Sequence, residues 1–145
     1  MTNSKPVISC KNVWKLFGFA PEKYYKSLSK NKSYEDIQAD GYIAGVKDVS
    51  VDVFKGEMLV IMGLSGSGKS TLLRCMSRLH DITGGTIAID DQDIMSLEEK
   101  ELIDLRRNKM GMVFQSFGLL PHRSVLENVA FPLEMRGQSL SLIHI

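Results

Sequence analysis

The stretch Gly63-Leu64-Ser65-Gly66-Ser67-Gly68-Lys69-Ser70 fits the pattern G-x-x-x-x-G-K-[ST] at every position. This pattern is typical of a loop that wraps around the phosphate groups of a nucleotide. Its glycines let the backbone turn sharply and bring N–H groups close to phosphate oxygens. The loop opens a helix, and the unpaired N–H groups of a helix N-terminus favour an anion. The stretch therefore predicts a phosphate-binding P-loop.

Two side chains at the end of the pattern predict how a triphosphate is bound. Lys69 places an ammonium at the β- and γ-phosphates, and Ser70 offers a hydroxyl to the Mg²⁺ that bridges them. We therefore predict Mg²⁺ as a cofactor, with Ser70 among its ligands. The expected nucleotide-binding residues of the loop are Gly63, Ser65, Gly66, Ser67, Gly68, Lys69, Ser70 and Thr71.

The segments around the loop have the pattern of an α/β core. The continuous apolar run at residues 58–62 predicts a strand buried on both faces, and residues 110–114 predict another short strand. Apolar residues at 72, 73, 76 and 79 have helical spacing and predict a helix over residues 70–79. Two strands are predicted before the loop, at residues 7–17 and 49–53.

The segment between the first two strands, residues 18–45, has no sustained period and is interpreted as an insertion. It has room for one or two short helices, because Pro21 suits a first helical turn and Ser33 suits an N-cap. Farther along, residues 86–90 and Ile94 predict a strand and a tight turn. The sequences at 96–99 and 124–127 both have the form Ser-x-x-Glu, which predicts two helix starts.

Composition narrows the class of protein. The 145 residues carry 18 basic and 17 acidic side chains, a balance that predicts no nucleic-acid partner. Cys10 and Cys75 suggest reduced thiols in a cytosolic protein. No stretch approaches the roughly 20 apolar residues of a membrane helix, so any membrane link is expected through a partner. Residues 1–32 hold seven lysines and one acid, which indicates a solvated basic surface or attraction to an anionic membrane.

A second motif separates the P-loop classes, which include GTPases, kinases, helicases and transporter ATPases. After residues 112–114 comes Gln115, followed by Ser-Phe-Gly-Leu-Leu-Pro-His. Together with the serines in the P-loop and the stretches at 85–90 and 124–129, this segment resembles the ATP-binding cassette (ABC) transporter ATPases. The resemblance implies an α/β P-loop NTPase fold, with an antiparallel β subdomain and the first part of a nucleotide-binding core. It also implies ATP as the nucleotide.

The resemblance assigns roles beyond the P-loop. Gln115 is expected to contact Mg²⁺ and the attacking water, which makes Lys69 and Gln115 the expected catalytic residues. Residues 117–123, from Phe117 to Arg123, are expected to meet transmembrane permease subunits. The adenine is expected to stack on an aromatic residue of the first strand, with Phe17 as first choice and Trp14 as the fallback.

The insertion, with the sequences on either side of it, resembles the glycine betaine and proline betaine importers. This branch implies a quaternary-amine osmoprotectant as cargo, a homodimer of ATPase subunits at the cytoplasmic face of the membrane, and an indirect link to an extracytoplasmic substrate-binding protein. One departure is Asp91, where the family usually has glycine. Aspartate tolerates left-handed backbone, so we expect the turn to survive.

The resemblance ends near Gly137, so residues 1–139 are interpreted as the N-terminal part of a nucleotide-binding domain. The Leu-Ser-Gly-Gly signature, the acidic strand with the general base, and the switch histidine do not occur in the 145 residues. We therefore expect weak or no hydrolysis, and poor folding, from this stretch by itself. Residues 140–145 are interpreted as a non-native tail read from sequencing adapter, which downstream genomic DNA would test.

Three alternatives remain open. An ABC ATPase with another cargo, such as an amino acid or a phosphonate, is disfavoured by the insertion. A P-loop kinase or GTPase is disfavoured by the sequence around Gln115 and by the lack of the guanine-reading Asn-Lys-x-Asp. The third alternative is an inactive truncated fragment.

Overall fold

The computed structural model describes residues 5–29, 31–115 and 118–138. The chain divides into two compact units, with the boundary between Leu97 and Glu98. Among the described helices, none has both the length and the apolarity that crossing a bilayer requires.

The first unit is built on an antiparallel sheet of four strands in the order β2-β1-β3-β4. The central strand β1 pairs with β2 along its whole length, from Ile8 opposite Val53 to Phe17 opposite Ile43. Three helices of the described residues complete this unit. The bounds are β1 Ile8–Phe17, α1 Pro21–Ser27, α2 Tyr34–Ala39, β2 Ile43–Val53, α3 Lys69–Met76, β3 Gly84–Ile89 and β4 Gln92–Asp93.

The turn between β3 and β4 confirms the expectation for Asp91. Asp90 and Asp91 have φ of 48° and 65°, so both adopt left-handed backbone. Positive φ at both central residues is what a two-residue hairpin loop needs to match the twist of its strands. Lys5 donates a 2.7 Å hydrogen bond to the Asp91 carboxylate. The turn therefore forms without the glycine that is usual in the family.

The insertion folds into two short helices, as the sequence predicts. Pro21 occupies the first turn of α1, and Ser33 caps α2 in a reciprocal capping box with Asp36. Ile37 of α2 is buried together with Trp14 and Leu16 of β1. This small core anchors the insertion to the central strand, and the residues packed around it are Tyr24, Tyr25, Leu28, Tyr42 and Ala44.

Trp14 is central to this core and leaves a polar atom unsatisfied. It is 1% exposed, and its Nε1 has no hydrogen-bond partner among the described residues. We expect Trp14→Phe to lower the free energy of unfolding by about 1–2 kcal/mol, because it leaves a small cavity but keeps an aromatic ring and removes the orphaned donor. Trp14→Ala should cost about 3–5 kcal/mol. Urea unfolding followed by circular dichroism measures both, and equal losses would contradict the packing described.

The two cysteines are free and buried. Burial raises the pKa of the Cys10 thiol to about 11, with Asp52 and Cys75 adding to the rise. Burial also raises the pKa of Cys75. The unfolded thiol ionises near pH 8.5, whereas the buried thiol stays protonated to a higher pH. Keeping Cys10 protonated therefore contributes to the stability of the folded state fully below about pH 8.5, and this contribution is lost as pH rises toward 11.

The same burial predicts unreactive thiols in the folded protein. Since only the thiolate attacks a disulfide reagent, we expect labelling by an aromatic disulfide at pH 8 to be at least about 100-fold slower than in guanidinium chloride. Absorbance of the released thiol measures the rate. Rapid labelling of the native protein would show that Cys10 or Cys75 is accessible.

The second unit contains α4 Glu99–Lys109 and α5 Val125–Met135. The second predicted capping box is confirmed, because Ser124 and Glu127 satisfy each other's backbone N–H groups at the start of α5. The first is displaced by two residues, since Glu98 and Glu101 cap α4. The predicted cap, Ser96, instead donates its hydroxyl to the Asp93 carbonyl at 2.8 Å and so belongs to the preceding turn.

The strands predicted at residues 58–62 and 110–114 are not formed. A strand forms only where a neighbouring strand supplies its hydrogen bonds, and the described strands pair only with one another, in the antiparallel sheet. Without such neighbours, Met58, Met62 and Val113 are 88%, 85% and 98% exposed. The helix after the P-loop also differs from its predicted bounds, since α3 runs from Lys69 to Met76.

Candidate nucleotide-binding site

The backbone of the P-loop forms a turn that leads into α3, and the first N–H groups of α3 are uncapped. The Ser67 N–H donates to the Leu64 carbonyl at 3.2 Å, which closes the turn, and Leu72 N–H donates to the Gly68 carbonyl at 2.9 Å. Gly68 is the N-cap of α3 and offers no side-chain acceptor. The N–H groups of the first helical turn therefore lack intrahelical partners and are suited to an anion.

Gly68 is required by both its conformation and its surroundings. Its φ is 89°, a left-handed value that costs other residues about 1–2 kcal/mol. A Cβ on Gly68 would overlap the carbonyl oxygen of Gly45, which lies in β2. The loop is therefore seated directly against the β2 backbone, and this contact fixes where α3 begins.

Lys69 directs its ammonium back over the P-loop. Its Nζ donates to the Gly63 carbonyl at 2.9 Å, to the Leu64 carbonyl at 2.6 Å and to the Ser67 Oγ at 3.3 Å. An ammonium has three donors and no acceptor, so an anion entering the loop can replace a carbonyl as its partner. The P-loop places this positive charge at the same end of α3 as the uncapped N–H groups.

The hydroxyl side chains of the P-loop helix fit a magnesium site completed by phosphate. Ser70 is exposed at the start of α3, and Thr71 is half-buried with its methyl group near Gly45. Within the described residues, no three His, Cys, Asp or Glu side chains cluster as metal ligands. Mg²⁺ commonly takes few protein ligands and completes its octahedron with phosphate oxygens and water. Ser70 suits such a role.

Phe17 lies beside the P-loop helix. A Cβ on Gly45 would be 2.6 Å from Phe17 Cε2 and 3.1 Å from Thr71 Cγ2, so both side chains meet at this glycine. Phe17 is 38% exposed, whereas Trp14 is buried and cannot offer a ring face to a nucleotide. The ring of Phe17 has Lys15 Nζ at 5.1 Å from its centroid and His80 edge-on at 5.9 Å.

Gly45 is the residue of this site that sequence reasoning missed. The sequence places it at the end of the insertion, whereas in the structure it lies close to the P-loop, Phe17 and Thr71. A glycine within a strand often marks a close approach of another backbone, but the predicted strand begins after position 45, so this signal appears only once β2 is known to start at Ile43.

Gln115 and the segment after it belong to the second unit. Gln115 is exposed, and its contact with Mg²⁺ stays a prediction. Of the expected permease-contacting segment, Phe117 lies outside the described residues. The Asn128 side chain holds the backbone of the described part, residues 118–123, because it accepts a hydrogen bond from Leu120 N–H at 2.7 Å and donates one to the Arg123 carbonyl at 3.1 Å. Arg123 also pairs with Glu134 at 2.6 Å.

This P-loop, which leads into α3 beside an antiparallel sheet, defines a nucleotide-binding protein. The family model described as ABC transporter matches residues 46–144, and the chain belongs to that family. The predicted family, the fold and the assignment to an ATPase family are confirmed.

Two solved structures are similar to this chain. The dimeric ABC transporter cassette MJ0796 has a TM-score of 0.71 and 34% identity, over 91% of this chain and 49% of that one. A dimeric post-hydrolysis state of the same cassette, bound to ADP and Pi, has a TM-score of 0.70 over 89% of this chain and 47% of that one.

Curated relatives are more similar in sequence. The trimethylamine N-oxide transport system ATP-binding protein TmoW of Ruegeria pomeroyi is 74% identical over 92% of this chain and 39% of the relative. TmoW of Pelagibacter ubique is 59% identical over 92% of this chain and 39% of the relative. The glycine betaine/proline betaine transport system ATP-binding protein ProV of Salmonella typhimurium is 47% identical over 90% and 33%. The chain thus spans about two fifths or less of the length of these relatives.

Proposed function

We propose that this chain is the nucleotide-binding part of an ATPase that drives import of a small methylated amine through a membrane transporter. The observation that carries the proposal is the P-loop geometry. The uncapped N–H groups of α3 and the Lys69 ammonium converge on one short loop. A triphosphate carries several negative charges, and this arrangement offers them backbone donors fixed by the helix and an ammonium that can exchange a carbonyl partner for a phosphate oxygen.

Each predicted site residue has a place in this proposal. The loop amides and Lys69 bind the phosphates, and Phe17 stacks on the adenine from the end of β1. When bound, Mg²⁺ neutralises phosphate charge, with Ser70 and Gln115 as its protein ligands. Gln115 also orients the attacking water. Two copies of the protein form a dimer, and the segment from Phe117 to Arg123 contacts the permease at the cytoplasmic face of the membrane.

The cargo is proposed from the gradient of identity among the relatives. The two relatives named for trimethylamine N-oxide transport are 74% and 59% identical, whereas the glycine betaine/proline betaine relative is 47% identical. These solutes are all small, methylated nitrogen compounds with a positive nitrogen and a negative oxygen. We therefore place trimethylamine N-oxide first and glycine betaine second, and a substrate-binding protein would select between them.

Uptake in a host without its own methylated-amine importers tests the proposed cargo. The full-length protein is expressed with its permease and substrate-binding protein, and labelled trimethylamine N-oxide and glycine betaine are supplied separately. We expect ATP-dependent uptake of trimethylamine N-oxide. Uptake of an amino acid or a phosphonate, with neither methylated amine taken up, would overturn the cargo and leave the ATPase assignment standing.

A further inference from the structure

The backbone that follows Phe17 is held in an unusual conformation. Ala20 has φ 46° and ψ 56°, which is left-handed backbone in a residue with a Cβ. Such a conformation persists only where the surrounding structure enforces it. The side chain of Phe19 is 91% exposed and therefore does not enforce it.

Tyr42 fixes this turn from the other end of the insertion. Its hydroxyl donates a 2.9 Å hydrogen bond to the Phe19 carbonyl. Its ring lies against Gly18 so closely that a Cβ on Gly18 would overlap the ring. Both contacts act on the backbone of the two residues that directly follow Phe17. In addition, Phe17 pairs across the sheet with Ile43, the residue after Tyr42.

Tyr42 is itself fixed by a polar and aromatic cluster of the insertion. Its ring stacks on Tyr24, with centroids 3.9 Å apart and planes 9° from parallel. The Tyr24 hydroxyl donates to the Asp40 carboxylate at 2.6 Å, and the Lys32 ammonium donates to the same carboxylate. The hydrogen bonds from Lys32 and Tyr24 hold the pKa of Asp40 below its usual range. Asp40 thus stays charged at neutral pH and keeps both donors.

We propose that Tyr42 is a positioning residue that holds Phe17 in the orientation needed to stack on a base, and that Tyr24 braces it. This inference rests on the proposed nucleotide-binding function. Phe17 is the last residue of β1, and strand ends open locally at low free-energy cost. The stacked pair of Tyr24 and Tyr42 opposes that opening, so the Phe17 ring is already in place when the base binds. The insertion thereby acquires a role in nucleotide affinity.

The test separates recognition of the base from recognition of the phosphates. In the full-length protein, calorimetry measures the affinity for ATP and for inorganic tripolyphosphate, both with Mg²⁺. We expect Tyr42→Leu to weaken ATP binding by roughly three- to ten-fold, because only part of the contribution of base stacking on Phe17 would be lost. Tripolyphosphate has no base, so its binding should stay unchanged. Tyr42→Phe, which removes only the bond to Phe19, should give a smaller loss for ATP alone. The control Phe19→Leu removes an exposed ring and should change neither affinity.

A double-mutant cycle asks whether Tyr42 acts through Phe17. On a Phe17→Ala background, Tyr42→Leu should have no further effect on ATP affinity. Three results would overturn the inference. The first is additive losses of ATP affinity in the double mutant, and the second is a loss of tripolyphosphate affinity in Tyr42→Phe equal to its loss of ATP affinity. The third is a loss of ATP affinity in Phe19→Leu without one in Tyr42→Leu. Unchanged ATP affinity in Tyr42→Leu would also overturn it. The proposed function fails separately, if the unmodified protein binds neither ATP nor tripolyphosphate.

Discussion

Replacing Lys69 by alanine in the full-length protein is expected to abolish ATP-driven uptake of the methylated amine. The ammonium lies over the P-loop, within 2.9 Å of two of its carbonyl oxygens, where it would meet the β- and γ-phosphates. A hydrogen bond to a charged group contributes about 1.5–3 kcal/mol, so ATP affinity should fall by roughly 10- to 100-fold. Hydrolysis should fall further, because in the proposed function the same charge would face the transferred phosphate.

A lysine remote from the P-loop provides the matched control. Lys55 lies in the exposed turn after β2, and Lys55→Ala removes an equal charge. We expect this variant to keep its uptake rate and its ATP affinity. Calorimetry with ATP and uptake of labelled substrate report on both variants. Normal transport by Lys69→Ala would count decisively against the proposed role of the loop.

Replacing Gly68 by alanine should have the largest effect on the structure of the site. Alanine would have to adopt φ of 89°, and its Cβ would overlap the Gly45 carbonyl, which is backbone and cannot rotate away. The left-handed conformation alone costs about 1–2 kcal/mol, and the displaced backbone adds to it. We expect at least about 2 kcal/mol of destabilisation and complete loss of measurable ATP binding.

Gly111 supplies the comparison for this glycine substitution. A Cβ on Gly111 would meet no atom within 4 Å, and its φ is not left-handed. Gly111→Ala should therefore leave stability within about 1 kcal/mol of the parent. Thermal unfolding measures both variants. If Gly68→Ala were as stable as Gly111→Ala, the close seating of the loop on β2 would be wrong.

Features encoded by short sequence segments could be predicted from the sequence. The turn at Gly66 and Gly68, the start of α3 and the cap at Ser124 all depend on backbone freedom or on hydrogen bonds within a few residues. Pro21 and Ser33 likewise place the two helices of the insertion. Such local signals need no knowledge of the rest of the fold.

Features that depend on distant partners could not be predicted in the same way. Residues 58–62 are apolar enough for a central strand, but a strand forms only where a neighbour supplies its hydrogen bonds. The contact of Gly45 with Gly68 joins residues far apart in sequence, so its importance is visible only once β2 and α3 are placed. The sequence predicts Ser96 as the cap of α4, but the turn after β4 engages its hydroxyl, and Glu98 caps the helix instead.

Amide hydrogen exchange of the full-length protein, with and without Mg²⁺ and ATP, is the most direct test of the central claim. If the amides that open α3 receive the phosphate oxygens, exchange at residues 65–71 should slow by at least about ten-fold when the nucleotide is added. Slowing confined to other segments, with this stretch unaffected at saturating ATP, would contradict the account.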